Sequence, residues 1–193
     1  MSNGTKIVAT TLLALASAAT YAGPYSPSES ERSYVTVAVG KTDTGEKGFD
    51  EGDYISGALG WQFNKNWGIE GSYADIGDIH SDAPVPGIGI VEFQGSAFVV
   101  SLVGIIPVTG FMNLYGKFGL AFWDAELNVP GEGELQSFNG EDIALSVGAE
   151  FRLNDSWSAL AEYQRIDLND SGDDEWELDG DLDSWSVGIR YSF

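Results

Sequence analysis

The strongest constraint on this 193-residue chain is a two-residue alternation of bulky and small side chains, repeated in segment after segment beyond Arg32. In one segment Ile55, Gly57, Leu59, Trp61 and Phe63 share a face, and Tyr54, Ser56, Ala58, Gly60 and Gln62 share the other. Another sets Met112, Leu114, Gly116, Phe118, Leu120 and Phe122 against Asn113, Tyr115, Lys117, Gly119, Ala121 and Trp123. In a third, Ile143, Leu145, Val147, Ala149 and Phe151 oppose Ala144, Ser146, Gly148, Glu150 and Arg152. A fourth opposes Trp185, Val187, Ile189, Tyr191 and Phe193 to Ser184, Ser186, Gly188, Arg190 and Ser192. Side chains alternate across a β-strand, so each segment reads as a strand with two unlike faces. The pattern predicts eight strands, near 34–41, 53–63, 67–75, 90–106, 111–124, 142–153, 157–168 and 182–193.

The connections alternate in length. Residues 64–66, 107–110 and 154–156 are tight turns of Asn, Asp, Gly, Ser and Pro type. Residues 42–52, 76–89, 125–141 and 169–181 are longer, acidic and glycine-rich. An even strand number with short connections at one end and long ones at the other is the arrangement of an antiparallel up-and-down transmembrane β-barrel. A soluble barrel shares that topology, so the faces decide. The lumen of an eight-stranded barrel is just wide enough for side chains to fill it, so the small and charged face goes inside and the bulky face outside. In water that outer band would drive aggregation; in lipid it is matched. The expectation is an all-β, eight-stranded transmembrane barrel, with the lipids of a bacterial outer membrane as partners.

Aromatic placement agrees. Phe63, Trp67, Phe111, Phe151, Trp157 and Phe193 gather at the tight-turn ends, where a membrane-interface girdle belongs. Tyr73, Phe122, Tyr163 and Trp185 lie toward the other strand ends, a spacing that suits an apolar band about 25 Å tall.

Composition closes other routes. With 30 Asp+Glu against 9 Lys+Arg, the net charge of -21 leaves few cations to neutralise phosphates, so no nucleic-acid partner is expected. Six Trp, 8 Tyr and 10 Phe exclude a disordered acidic chain, and the absence of Cys excludes disulfides and thiol chemistry. At the N-terminus Lys6 precedes an apolar run over 7–19 and a Thr20-Tyr21-Ala22 step, which reads as a secretory signal peptide over 1–22. A run of about 13 residues is too short for a transmembrane helix. A polar lead-in follows over 23–33, and the barrel domain occupies 34–193.

Inward parity places Glu70, Glu150 and Glu162 in the lumen with Lys117, Arg152 and Arg190, beside Gln62 and Gln164. Unpartnered buried charges are costly, so three acids facing three bases predict paired ions plugging the barrel. The alternative is a narrow-bore ion path opened when those ions re-pair. An enzyme acting on lipid or peptide is the weakest reading, since the single His80 sits in the second long connection beside Ser81 and Asp82, with no catalytic set around it. The run of Asp170, Asp173, Asp174, Glu175, Glu177, Asp179, Asp181 and Asp183 lacks the EF-hand spacing and reads as a solvated acidic face rather than a metal site. Neither Gly87-Ile88-Gly89 nor Gly131-Glu132-Gly133 precedes a helix, so neither reads as a phosphate cradle. No catalytic residue, metal or cofactor is expected.

Leu114-Tyr115-Gly116-Lys117-Phe118-Gly119 with Trp123-Asp124-Ala125-Glu126, and Gly148-Ala149-Glu150-Phe151-Arg152-Leu153 through Trp157 to Ala161-Glu162-Tyr163-Gln164, resemble the OmpA-type transmembrane domain of Gram-negative outer membranes. The terminal Tyr191-Ser192-Phe193 is similar to the signature read by the barrel-assembly machinery. The resemblance covers 34–193 and implies periplasmic termini, insertion by that machinery, and long loops outside that could meet an extracellular partner. Because the chain stops with the eighth strand, it implies no peptidoglycan-binding domain and no cell-wall tether. Where gated members of the family would place a Lys and an Arg in strands 4 and 7, this chain has Val103 and Leu160, which argues against an inherited gate. A structural or surface-interaction barrel is the favoured function.

Overall fold

Each tight turn is built on one side chain that accepts two backbone N–H groups. Asn64 Oδ1 accepts from Asn66 and Trp67 at 2.9 and 3.0 Å, and Asn154 Oδ1 accepts from Ser156 and Trp157 at 3.0 and 2.9 Å. Thr109 Oγ1 does the same for Phe111 and Met112 at 3.3 and 3.0 Å. A short side chain that satisfies the turn's own donors reverses the backbone within a few residues and sets the register of the strands it joins.

The computed structural model describes residues 31–43, 51–80, 92–129, 133–169 and 179–193. The expected signal peptide, most of the lead-in and the centres of the four long connections lie outside the described residues. The strands are β1 (Arg32–Asp43), β2 (Gly52–Asn64), β3 (Trp67–His80), β4 (Glu92–Pro107), β5 (Met112–Val129), β6 (Gly133–Arg152), β7 (Trp157–Asn169) and β8 (Asp179–Ser192). They form one closed barrel in sequence order. Closure is made by β1 against β8, antiparallel from Tyr34↔Ser192 to Asp43↔Asp183. A closed sheet leaves no unpaired edge, which is what lets strands cross a bilayer.

Several boundaries differ from the sequence reading, most of all where strands run on into the expected long connections. His80 is the last residue of β3, paired with Glu92, and not a loop residue. The expected loop over 125–141 is mostly ladder: β5 runs to Val129 and β6 starts at Gly133, with a register shift between Leu127 and Asn128. Backbone pairing carries these strands past the point where the lipid-facing pattern ends. Their Gly- and Glu-rich composition hides the pairing because strand propensity reflects side-chain packing more than backbone preference.

The outward face is apolar around the wall, with Trp185, Ile106 and Val147 exposed by 67%, 66% and 62%. At the tight-turn end Trp67, Phe111, Phe151, Trp157 and Phe193 are exposed, while Phe63 is half-buried with its ring 5.9 Å from that of Trp61. Toward the long-loop end Tyr73, Phe98 and Phe122 are cross-strand neighbours, and the Tyr163 and Trp185 rings are 4.7 Å apart.

The inward face departs from the expected small and charged filling. Tyr54, Ala74, Ile76, Ala97, Val99, Ala121, Trp123, Ala125, Ala144, Ile166 and Leu182 form one buried cluster in the half of the lumen nearer the long loops. A second, smaller cluster of Val103, Ile105, Tyr115 and Leu160 lies nearer the tight turns. An apolar interior is compatible with an apolar exterior because the lumen is just wide enough for side chains to fill it, so the filling gains dispersion contacts and excludes bulk water.

Candidate functional site

The charged side chains of the lumen are drawn from five strands into one cluster in the tight-turn half. Lys117 Nζ, from β5, lies 2.6 Å from Glu70 Oε1 of β3 and 2.6 Å from Glu162 Oε2 of β7. Arg190, from β8, reaches Glu70 Oε2 at 3.4 Å and Glu150 Oε2 of β6 at 3.5 Å. Glu70, Lys117 and Arg190 side chains are 2%, 9% and 4% exposed, so these are interior charges. Such ions persist where each also finds hydrogen bonds. Tyr34 donates to Glu70 Oε2 at 2.8 Å and Tyr115 to Glu162 Oε2 at 2.8 Å. Asn113 Nδ2 donates to Glu150 Oε2 at 3.4 Å, and Arg190 Nε to Thr36 Oγ1 at 3.2 Å. The Arg190 guanidinium also stacks over the Tyr34 ring at 3.9 Å.

Five of the six charges placed inside by parity therefore meet. Arg152 does not: it is exposed at the tight-turn rim, where its NH1 donates to the Gly110 carbonyl at 3.4 Å. The balance becomes three carboxylates to two cations, and Glu150, 12% exposed, holds the longer contacts. Gln164 lies deeper, donating to Ser146 Oγ at 3.3 Å and accepting from Tyr54 at 3.5 Å. Sequence reasoning missed the two tyrosines that buttress the cluster. Both were signalled by an inward parity at which a large polar-tipped ring faces a glycine on the next strand.

Between the charge cluster and the larger apolar cluster remains a cavity of about 30 Å³, bordered by Ser56, Ser72, Gln164 and Ser186. That is space for about two waters. Val103 and Leu160, the departures from a gated pattern, are packed with Ile105 and Tyr115 and are 1% and 6% exposed.

At the opposite rim, beyond the Tyr163 and Trp185 rings, Arg165 grips Asp183 with two bonds of 2.7 and 2.8 Å and reaches Asp181 at 3.3 Å. The Tyr163 hydroxyl donates to the same Asp183 at 2.6 Å. The Arg165 bonds hold the Asp183 carboxyl below the ordinary aspartate range. Lys41 pairs with Asp53 at 2.8 Å. Among the described residues, the two cations at this rim, Lys41 and Arg165, are thus already engaged by acids of the barrel. Among the described residues no cluster of His, Asp or Glu has the geometry of a metal site.

A closed eight-stranded wall, apolar outside and filled inside, defines a transmembrane β-barrel of the outer-membrane class. The chain matches the outer membrane protein beta-barrel domain over residues 8–193 and belongs to that family; its place is the Gram-negative outer membrane. Among curated proteins it is similar to outer membrane protein A of Yersinia pseudotuberculosis, 28% identical over 140 residues, 70% of this chain and 38% of that protein. The match thus spans well under half of outer membrane protein A. It is also similar to the attachment invasion locus protein of the same organism, 21% identical over 133 residues, covering 69% of this chain and 67% of that one. In fold it is similar to Ail of Yersinia pestis, with a TM-score of 0.57 at 17% identity over 86% of this chain and all of that one. Neisserial surface protein A gives 0.64 at 13% identity over 84% and 97%.

Proposed function

We propose that this protein is a closed, non-enzymatic outer-membrane barrel that presents acidic loops to a positively charged partner outside the cell. The observation that carries the closed lumen is its double filling. Buried Tyr54, Ile76, Val99, Trp123, Ile166 and Leu182 occupy the outer half, and the Lys117–Glu70–Glu162–Arg190–Glu150 cluster occupies the periplasmic half. The first 22 residues would direct export and be removed.

Charge supports the loop partner. The connections β1–β2, β3–β4, β5–β6 and β7–β8 leave the barrel at one end. Over 44–50, 81–91, 130–132 and 170–178 they contain Glu46, Asp50, Asp82, Glu132, Asp170, Asp173, Asp174, Glu175 and Glu177, with Lys47 the one cation in the sequence of those stretches. Ail of Yersinia pestis has been crystallised with the heparin analogue sucrose octasulfate. A polyanion of that kind suits neither these loops nor a rim whose cations Lys41 and Arg165 are paired. Proteoliposomes carrying the barrel should bind polylysine-coated beads and ignore heparin-coated beads, with binding lost at high salt and in a variant carrying Ser at every acid from Asp170 to Glu177. Preference for heparin would overturn the reading.

A further inference from the structure

We infer that the edge of β6 over 133–143, beyond the outer face of the membrane, receives an extended basic segment of a protein outside the cell as an added strand. This gives the positively charged partner proposed above its docking surface, and it rests on that reading. Closure of the barrel holds across the bilayer, but beyond it β6 outruns one neighbour. Its ladder with β5 runs from Met112↔Phe151 to Val129↔Gly133, whereas its ladder with β7 stops at Ala144↔Ile166. Past that pair β7 continues with β8 alone, from Asp167↔Asp181 to Asn169↔Asp179. Among the described residues, β6 over 133–143 therefore has no partner strand on its β7 side, which leaves an edge about 35 Å long. The gap opens where the lipid-facing pattern ends. Ile143 and Tyr163 are the last outward apolar residues of the two strands, followed on the same face by Glu141 and Arg165. No unpaired backbone is thereby left in lipid.

The phase of the ladder shows which groups the edge offers. The Arg152 N–H donates to the Phe111 carbonyl on the β5 side, and the Leu153 N–H to the Trp157 carbonyl on the β7 side. The β5–β6 register is unshifted from there to Gln136, so odd-numbered residues of β6 turn away from β5. Ser137, Asn139, Glu141 and Ile143 thus present N–H and C=O to the open side, a template for another strand. Lys and Pro, the usual guards of such an edge, are absent from 133–143, whose charged residues are Glu134, Glu141 and Asp142. Exposed Asp167 stands across the gap on β7. Charge selects the occupant. The chain's own 170–178 segment carries five acids in nine residues, and a second copy would bring another net charge of -21 to the same acids, so both are repelled. A basic strand is attracted, with main-chain bonds supplying affinity and its cations meeting Glu141 and Asp167.

Fluorescence anisotropy of a labelled, alternating Lys-Thr peptide of eleven residues with the folded barrel in neutral detergent tests this. The wild type should bind it, and should not bind the same peptide N-methylated along its central residues, which keeps every charge but cannot pair. Asn139→Pro removes one edge N–H, spares the bonds to β5, and should weaken binding about fivefold while heat-modifiable migration is kept; Asn139→Ala should bind like the wild type. Equal binding of the two peptides, which does not depend on how any variant folds, would overturn the added strand and leave the acidic-loop reading standing. Unchanged binding by Asn139→Pro, or a second copy of the chain on the edge, would also overturn it. Loss of binding to polylysine-coated beads as well would remove the reading on which it rests.

Discussion

Tyr115 stands directly opposite Gly148 on the neighbouring strand, and its ring fills the space that any side chain at position 148 would need. Tyr34 and Gly60 repeat the relationship between β1 and β2. In both pairs the ring bridges the strands and ends on a carboxylate, Glu162 for Tyr115 and Glu70 for Tyr34. The glycines thus set the position of the donors that hold the charge cluster. Gly148→Ala and Gly60→Ala should each destabilise the barrel by about 1–3 kcal/mol, the usual cost of overpacking, read by urea titration in detergent. Gly116→Ala, which meets only ordinary contacts, should stay within about 0.5 kcal/mol of the wild type.

Removing Lys117 alone should cost far more than removing it together with the charges of its two carboxylate partners. Lys117→Met leaves Glu70 and Glu162 facing each other without the cation between them, and breaking a buried pair on one side typically costs about 3–5 kcal/mol. The triple variant Lys117→Met, Glu70→Gln, Glu162→Gln should recover most of that loss. Equal stability of the single and triple variants would show that the ions do not act as a unit.

Strand number, tight turns and the lipid-facing set are legible in the sequence because each rests on local spacing: period two for the faces, and clustered Asn, Asp, Gly, Ser and Pro for the turns. Depth is not legible in the same way. Parity assigns Arg152 to the inner face but says nothing of its height, and it lies at the rim bonded to Gly110. Parity also treats the inner face as one population, so Tyr54 and Trp123, spread among Ala, Ser and Gly, do not stand out as parts of one apolar layer until the strands are staggered by closure. The β5–β6 extension is hidden for a related reason. Beyond the bilayer no solvent difference separates the two faces, so alternation fades while pairing continues.

The last residue should matter to assembly. Phe193 closes the ladder through its N–H to the Ser33 carbonyl at 3.0 Å and lies 6.1 Å from the Tyr191 ring at the tight-turn rim. Phe193→Ala should lower the yield of heat-modifiable barrel in outer-membrane fractions, whereas Ser in place of the acids over 170–177 should not. Equal yields for the two would contradict this.

The two fillings of the lumen should act as seals in series. Trp123→Ala empties part of the outer layer, whose ring otherwise donates to Asp142 at 2.7 Å, and should cost about 3–5 kcal/mol without opening a path, since the charge cluster remains below. Lys117→Ala alone should likewise leave the outer apolar layer closed. Only the combined Trp123→Ala, Lys117→Ala variant should admit ions.

Single-channel recording in planar bilayers tests the closed barrel most directly. The wild-type protein should give no steady conductance across a range of voltages, and the combined variant should give reproducible openings. Steady channels from the wild type, unchanged by Lys117→Ala, would contradict the closed lumen and identify the protein as a small pore.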